Sequence, residues 1–395
     1  MVRYLLRRVF SSLIALFVFL TFMFFVVQAM IPGDFTTQFS QALTAEEREE
    51  LRSELGIDQP LFTQYVRWMG HLVRGDLGRS LYGFPVVQQL KNVIPYTLLV
   101  FLTGTLLAFL LGLWLGKVVA WQGSGILTGA TVTTAISLYT AFPPWLAFLV
   151  TYFFARRLNM ARDPFSYGKR LGGATHWELG VWYNAPLSPQ QVALRAVVSF
   201  IAVAALLFLI DSLMQRQWKR RLPVPLALVL FLGGVVGSWH AFGFAPLALD
   251  IMIVAGIPII TYVLLSFGET MLIMRTSMID TLKEEYVLTA QAKGLPDRVV
   301  RNRHAARNAL LPVLSRFVVS FPYMLTGLVI IEDTLDWPGI SKALFDALYQ
   351  QDMPVVMGAL LLVGVLSAVA RLALDVVAAY LDPRIRFDAA HSWRL

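Results

Sequence analysis

Apolar residues in this chain are gathered into long uninterrupted stretches separated by polar intervals. The first runs from Val9 to Ile31, and others fall at roughly 94–120, 126–155, 192–213, 223–242, 247–274, 312–333 and 357–381. Each is close to the ~20 residues that a helix needs to cross a bilayer. The pattern therefore predicts an all-α polytopic membrane protein with about eight transmembrane helices. The two stretches at 192–213 and 223–242 also read as a re-entrant hairpin, since Arg195 and Asp211 lie near the ends of the first. Either way the segment enters and leaves on one side, and the later topology is the same.

Between the first two stretches, Asp34 to Asn92 is polar. Thr44 to Leu55 predicts a short surface helix, with Thr44 as its cap and Glu47 closing a capping box. Gly75 and Gly78 predict turns. The Arg74-Gly75-Asp76 tripeptide is too short to support an adhesion reading. At the start of the chain, Arg3, Arg7 and Arg8 precede an apolar run longer than the ~7–15 residues of a signal-peptide core, with no Ala-x-Ala after it. It reads as a retained helix whose basic N-terminus stays inside.

Composition sharpens this picture. Of 395 residues, 57% are hydrophobic and 15% charged, against about 45–50% and 25% in a soluble domain. A soluble enzyme, a disordered regulator and a secreted disulfide scaffold are excluded, and with no cysteine there is no thiol nucleophile or thiolate-bound metal. The net charge of +8 does not point to nucleic acid, because no basic run is interleaved with stacking aromatics. It fits positively charged cytoplasmic loops. With the N-terminus inside, the loops at 214–222 (Arg216, Lys219, Arg220, Arg221) and 275–311 and the tail (Arg384, Arg386, Arg394) are basic as expected, while the outer loop at 334–356 is acidic. Arg156, Arg157, Arg162, Lys169 and Arg170 run against the rule.

No motif for catalysis is present. The chain has no phosphate-binding Gly-x-x-x-x-Gly-Lys-[Ser/Thr] and no His-Glu-x-x-His, and its histidines (71, 176, 240, 304, 391) are far apart. Gly123-Ser124-Gly125 sits in a short loop with no base nearby. Gly112-x-x-x-Gly116 and Gly125-x-x-x-Gly129 predict close helix packing. Pro143, Pro144 and Pro258 interrupt backbone hydrogen bonding within spans, as a kink or as a bend lining a path. Intramembrane acids are functional candidates because burying them is costly. Arg371 and Asp375 are spaced to pair on one helix face, whereas Glu332 and Asp333 close a span at the outer face, where solvent would receive them. Asp250 and Glu269 also lie near span ends, so no proton relay is assigned.

The segment Glu285-Tyr286-Val287-Leu288-Thr289-Ala290-Gln291-Ala292-Lys293-Gly294-Leu295-Pro296 predicts a short helix ending at Gly294 to Pro296. A second helix then starts at Asp297, favourably placed in a first turn, and carries Arg298, Arg301, Arg303 and Arg307 toward the membrane at Pro312. Small residues at such a corner suit docking into a partner's groove; a basic loop over anionic lipid accounts equally well for the charge, at about 1 kcal/mol per cation.

The run Glu285-Tyr286-Val287-x-Thr289-Ala290-x-Ala292-Lys293-Gly294-Leu295, continued by Arg303-His304-Ala305-x-Arg307-Asn308-Ala309-Leu310-Leu311-Pro312, strongly resembles the cytoplasmic EAA-type loop of ABC importer permeases. The resemblance is to the dipeptide, oligopeptide and nickel subfamily and its B-type permease. Tyr4-Leu5-Leu6-Arg7-Arg8, Pro32-Gly33-Asp34, Leu55 to Leu61, Gly75 to Ser80, Trp337-Pro338-Gly339 and Leu381 to Arg386 fit the same family in order. The chain departs from it twice. Relatives usually have six spans, so residues 156–245 read as an insertion with an extra hairpin, and Phe142-Pro143-Pro144-Trp145 only loosely follows the family's Ser-x-Pro-x-Phe. The resemblance implies a type I importer fold with an N-terminal helix (1–32), an extracytoplasmic region (33–92), a permease core (93–155 and 246–384, with the coupling loop at 275–311) and a cytoplasmic tail (385–395).

It further implies a permease subunit in the bacterial or archaeal cytoplasmic membrane, with both termini cytoplasmic and no catalytic site. It would form half of a peptide pathway with a homologous C-type permease, two ATPase subunits holding ATP and Mg, and an extracytoplasmic solute-binding protein. No cofactor, metal or nucleic acid would be bound by this chain, whose other contact is membrane lipid. Nickel, glutathione or oligosaccharide are other cargoes of the family, and a self-contained secondary transporter is the rival class; an intramembrane hydrolase lacks a nucleophile–base pair. The coupling residues are Glu285, Tyr286, Thr289, Ala290, Ala292, Lys293, Gly294, Leu295, Arg303, His304, Arg307, Asn308 and Pro312. The candidates for the path or its gate are Phe142, Pro143, Pro144, Trp145, Pro258 and Glu332.

Overall fold

The computed structural model describes residues 2–30, 44–55, 58–157, 182, 185–218 and 222–381. Among these the regular structure is helical, joined by turns and loops, with one isolated bridge between Arg79 and Pro85. The helices are α1 (Val2–Met30), α2 (Ala45–Leu55), α3 (Leu61–Val73), α4 (Val86–Gln122), α5 (Ile126–Tyr139), α6 (Pro143–Thr151), α7 (Pro189–Trp218), α8 (Val224–Ala241), α9 (Ala245–Thr281), α10 (Glu285–Ala292), α11 (Ala306–Thr334), α12 (Ile340–Tyr349) and α13 (Met353–Leu381). By length and composition α1, α4, α7 and α9 can cross a membrane, while α8 and the Met353–Val369 part of α13 are shorter apolar helices. The expected span at 126–155 is not straight. It is broken into α5 and α6, bent by 108°, because Pro143 and Pro144 occupy the first turn of α6, where missing amides cost nothing. Pro258, by contrast, lies buried inside an uninterrupted α9.

The centre of the molecule is the α4–α9 pair. Each has 37 residues, roughly 55 Å of helix against a ~30 Å hydrocarbon core, so both project beyond the bilayer. They approach closely because α4 presents Gly104, Ala108, Gly112 and Gly116 at four-residue spacing. A Cβ on Gly112 would lie 2.7 Å from the carbonyl oxygen of Phe267, and one on Gly116 2.7 Å from that of Met271. Gly104 receives the ring of Tyr262, whose hydroxyl is 3.1 Å from Thr105 Oγ1. The second glycine pair behaves otherwise. Among the described residues nothing lies within 4 Å of a Cβ at Gly125 or Gly129, so the packing expected there is not seen among them; Gly125 is the N-cap of α5.

The capping box forms as expected: Thr44 N–H donates to Glu47 Oε2 at 2.8 Å and Glu47 N–H to Thr44 Oγ1 at 3.3 Å. Gly75 and Gly78 are both in the left-handed region, and Gly78 N–H is held by Asp76 Oδ1 at 2.9 Å. This loop is pinned from a distance. Ser80 Oγ donates to the buried carboxylate of Asp352 at 2.5 Å, Leu81 N–H reaches the same oxygen at 3.2 Å, and Asp352 caps α13 through Val355 N–H at 3.4 Å. Asp352→Ala would leave buried donors unpaired, about 1–3 kcal/mol each. It should lower the melting temperature of the purified protein by several degrees, while Asp352→Asn should cost less; equal melting of wild type and Asp352→Ala would remove the clamp.

The hairpin α7–α8 packs on α4 and α9. Trp239 Nε1 donates to Ser199 Oγ at 2.9 Å, and Phe200 stacks on Phe231. The Pro32-Gly33-Asp34 motif, Arg162, Lys169, Arg170, residues 382–395 and the side chain of Asp375 lie outside the described residues, and with them the expected Arg371–Asp375 pair.

Candidate functional site

The residues expected to couple meet at the end of the molecule where α4 and α9 finish. The short helix α10 follows α9 after a turn and is stopped by Gly294 at φ +71°. Leu295 N–H reaches back to Ala290 C=O at 3.4 Å and Gly294 N–H to Gln291 C=O at 2.9 Å. This is a Schellman ending, which needs a residue comfortable at positive φ. Pro296 then caps the next turn, Asp297–Val299, and a π-helical turn, Val300–Ala305, leads into α11. The chain enters α11 without a break at Pro312, which is exposed.

One face of α10 is part of the core. Val287 and Ala290 are buried with Ala120, Met274, Met278, Val300, Ala305, Ala306 and Ala309. The opposite face is open: Leu288 is 52% exposed, Tyr286 39% and Leu295 37%, and Glu285, Thr289, Ala292, Lys293 and Gly294 are also exposed. Three exposed large apolar side chains around a charged corner form a surface suited to a partner. Asn308 Nδ2 donates to the Tyr286 hydroxyl at 2.8 Å, tying α10 to the first turns of α11. Arg303 and Arg307 are exposed and His304 is half-buried. Arg316 on α11 meets Glu269 on α9 at 3.5 Å, with the arginine largely in solvent.

The path candidates are dispersed. Phe142 and Trp145 are exposed at the α5–α6 bend, and Pro143 and Pro144 are half-buried there. Pro258 is buried among the α9 contacts. Glu332 is not at a solvated span end: it is 0% exposed. Thr97 Oγ1 of α4 donates to its Oε1 at 2.6 Å and Ser341 N–H to its Oε2 at 2.9 Å, while Ile340 N–H donates to Thr97 Oγ1 at 2.8 Å. The intervening Trp337 is buried, and its Nε1 donates to Tyr96 C=O at 3.2 Å. Glu332 thus fastens the turn between α11 and α12 to α4. Asp352, which fastens the start of α13 to the Ser80–Leu81 loop, carries no signal of its own in the sequence beyond its place in an acidic loop.

Residues 108–387 match the family described as binding-protein-dependent transport system inner membrane component, and residues 1–83 match the N-terminal part of such membrane components. A putative peptide permease of Brucella suis biovar 1 is 29% identical over 392 residues, covering 98% of this chain and 99% of the relative. The oligopeptide transport system permease of Bacillus subtilis is 27% identical, with 98% and 100% covered. The dipeptide transport system permease of Escherichia coli K12 is 26% identical, with 98% and 99% covered.

Proposed function

Because this chain belongs to the family of binding-protein-dependent transport system inner membrane components, we propose that it is the B-type permease of an ABC importer and forms half of a path for di- or oligopeptides. Its partners would be a homologous C-type permease, two ATPase subunits and an extracytoplasmic solute-binding protein, with α10 and both termini cytoplasmic. The observation that carries this reading is α10 itself, a rigidly capped corner helix with one face seated in the chain's core and an apolar face open. Docked in an ATPase groove, it would pass movement to α9 through Met278 and to α11 through the Tyr286–Asn308 bond. Nucleotide would supply the differential affinity for two states that such a cycle needs. The peptide assignment rests on the names of full-length relatives.

The test is uptake into proteoliposomes. The complete complex should accumulate labelled peptide only with ATP and binding protein, and unlabelled peptide should compete where nickel, glutathione or oligosaccharide do not. Uptake by the reconstituted chain alone would make it a secondary transporter and overturn the proposal. In the complex, Tyr286→Phe removes one hydrogen bond, about 1 kcal/mol. Uptake per ATP hydrolysed should fall several-fold while the ATPases stay bound; an unchanged ratio would show that this bond transmits nothing.

A further inference from the structure

The polar interval between α1 and α4 holds two helices of opposite character. α2 carries Glu46, Glu47, Glu49, Glu50 and Glu54 with Arg48 and Arg52, and belongs in water. α3 is amphipathic, has no buried residue and no acidic one, and bears Arg67 and His71. Successive residues turn by about 100°, which sorts α3 into three arcs. Gln64, Tyr65 and Trp68 face α1. Thr63, Arg67, His71 and Arg74 form a polar arc. Phe62, Val66, Met69 and Val73 form an apolar stripe at spacings of four, three and four, and of these Phe62, Val66 and Val73 are exposed.

The contacts with α1 are local. Tyr65 Oη lies 2.9 Å from Thr21 Oγ1, Gln64 bonds Gln28 at 3.3 Å, and Phe24 stacks on Trp68 with ring centroids 5.5 Å apart. They all fall within about two turns of each helix, so α3 crosses α1 near its Met30 end and does not run alongside it. Phe25, on the exposed side of α1, has its ring 5.3 Å from that of Tyr65. The exposed apolar flank of α1 (Phe17, Val18, Phe22, Phe25) therefore continues onto the stripe of α3. Gly70 leaves a gap on that side, and a shallow groove of about 400 Å³ runs over Val66, Met69 and Val73 to Arg74.

We propose that α3 is an interfacial helix, with its Phe62–Val73 stripe buried in the bilayer beside α1 and its Arg67–Arg74 arc among the lipid headgroups. Three features specify lipid as the occupant. The stripe is continuous with the exposed apolar flank of α1, α3 itself buries no residue against the rest of the described chain, and its polar arc carries Arg67 and Arg74, with His71 paired to Asp76 at 3.1 Å, as in helices that lie on anionic membranes. The proposal does not depend on what the chain transports.

The chain has no cysteine, so single-site labelling is unambiguous. Full-length Phe62→Cys, Val66→Cys, Val73→Cys, Arg67→Cys and His71→Cys would each carry a nitroxide in nanodiscs of phosphatidylcholine with phosphatidylglycerol. Labels at 62, 66 and 73 should be relaxed several-fold more by oxygen than by a water-soluble nickel chelate, and labels at 67 and 71 should show the reverse. Equal access of the chelate to positions 66 and 67 would overturn the proposal. So would a stripe that is open to the chelate in the lone chain and becomes shielded only when the other importer subunits or the binding protein are added, since that face would then dock protein.

Discussion

Gly294→Arg is expected to abolish ATP-driven uptake and to release the ATPases from the purified complex, while the chain still reaches the membrane fraction. Two effects combine at this position. The residue is held at φ +71°, where any L side chain costs roughly 1–2 kcal/mol, and strain there loosens the bonds that close α10. Among the described residues a Cβ at 294 meets nothing within 4 Å, so the first atom of the arginine side chain would not clash with them. It would instead project from the corner toward whatever docks there. A graded series separates the two contributions. Asn tolerates the left-handed region and should retain most uptake, Ala should lose part of it through strain alone, and Arg should lose it all. Normal uptake by the Arg variant would withdraw the coupling role of α10.

Glu332→Ala is expected to be among the most destabilising single changes in the chain. It leaves the hydroxyl of Thr97 and the amide of Ser341 buried without their acceptor, at about 1–3 kcal/mol each, and opens a void besides. A loss of roughly 3–5 kcal/mol should appear as a lower melting temperature of the detergent-purified protein. Gly339→Ala should be damaging for the complementary reason, because its Cβ would collide with the Glu332 carboxylate. The two should be strongly non-additive, since the alanine methyl at 339 would enter space that Glu332→Ala vacates, and neighbouring sites couple by up to ~3 kcal/mol. Simple additivity, or a Glu332→Ala protein that melts with the wild type, would show that this carboxylate fastens nothing.

Much of this architecture could be read from residue order, because it depends on local chemistry. Apolar run length located α1, α4, α7 and α9; Thr44 with Glu47 marked the start of α2; Gly294 before Pro296 marked the end of α10. Readings failed where the deciding partner is distant in the chain. Glu332 looked like a solvated end because Thr97 lies 235 residues away, and Asp352 went unnoticed because Ser80 lies 272 residues away. The start of α4 at Val86 was hidden by Gln88, Gln89, Lys91 and Asn92, polar residues on a helix that outruns the bilayer. Equal glycine spacing also misled. Gly112 and Gly116 face the backbone of α9, whereas Gly125 and Gly129 meet nothing within 4 Å among the described residues, and spacing says nothing about which face is covered.

The backbone-to-backbone seam of α4 and α9 has a mechanical consequence. Two long rods whose backbones meet at Gly112 and Gly116, with the Tyr262 ring lodged over Gly104, leave no slack between them, so sliding or rolling one over the other would drive carbonyls and the ring into α-carbons. They act as a single beam, and any change of shape must be taken up at the joints around it: the elbow at Thr140–Phe142, the corner at Gly294 and the bracketed turn at Leu335–Gly339. Two of these joints are connected by α11, whose 29 residues give a strut of roughly 43 Å. If α10 couples as proposed, a tilt begun at the Gly294 corner would be carried along α11 to Glu332, the carboxylate that anchors the far end.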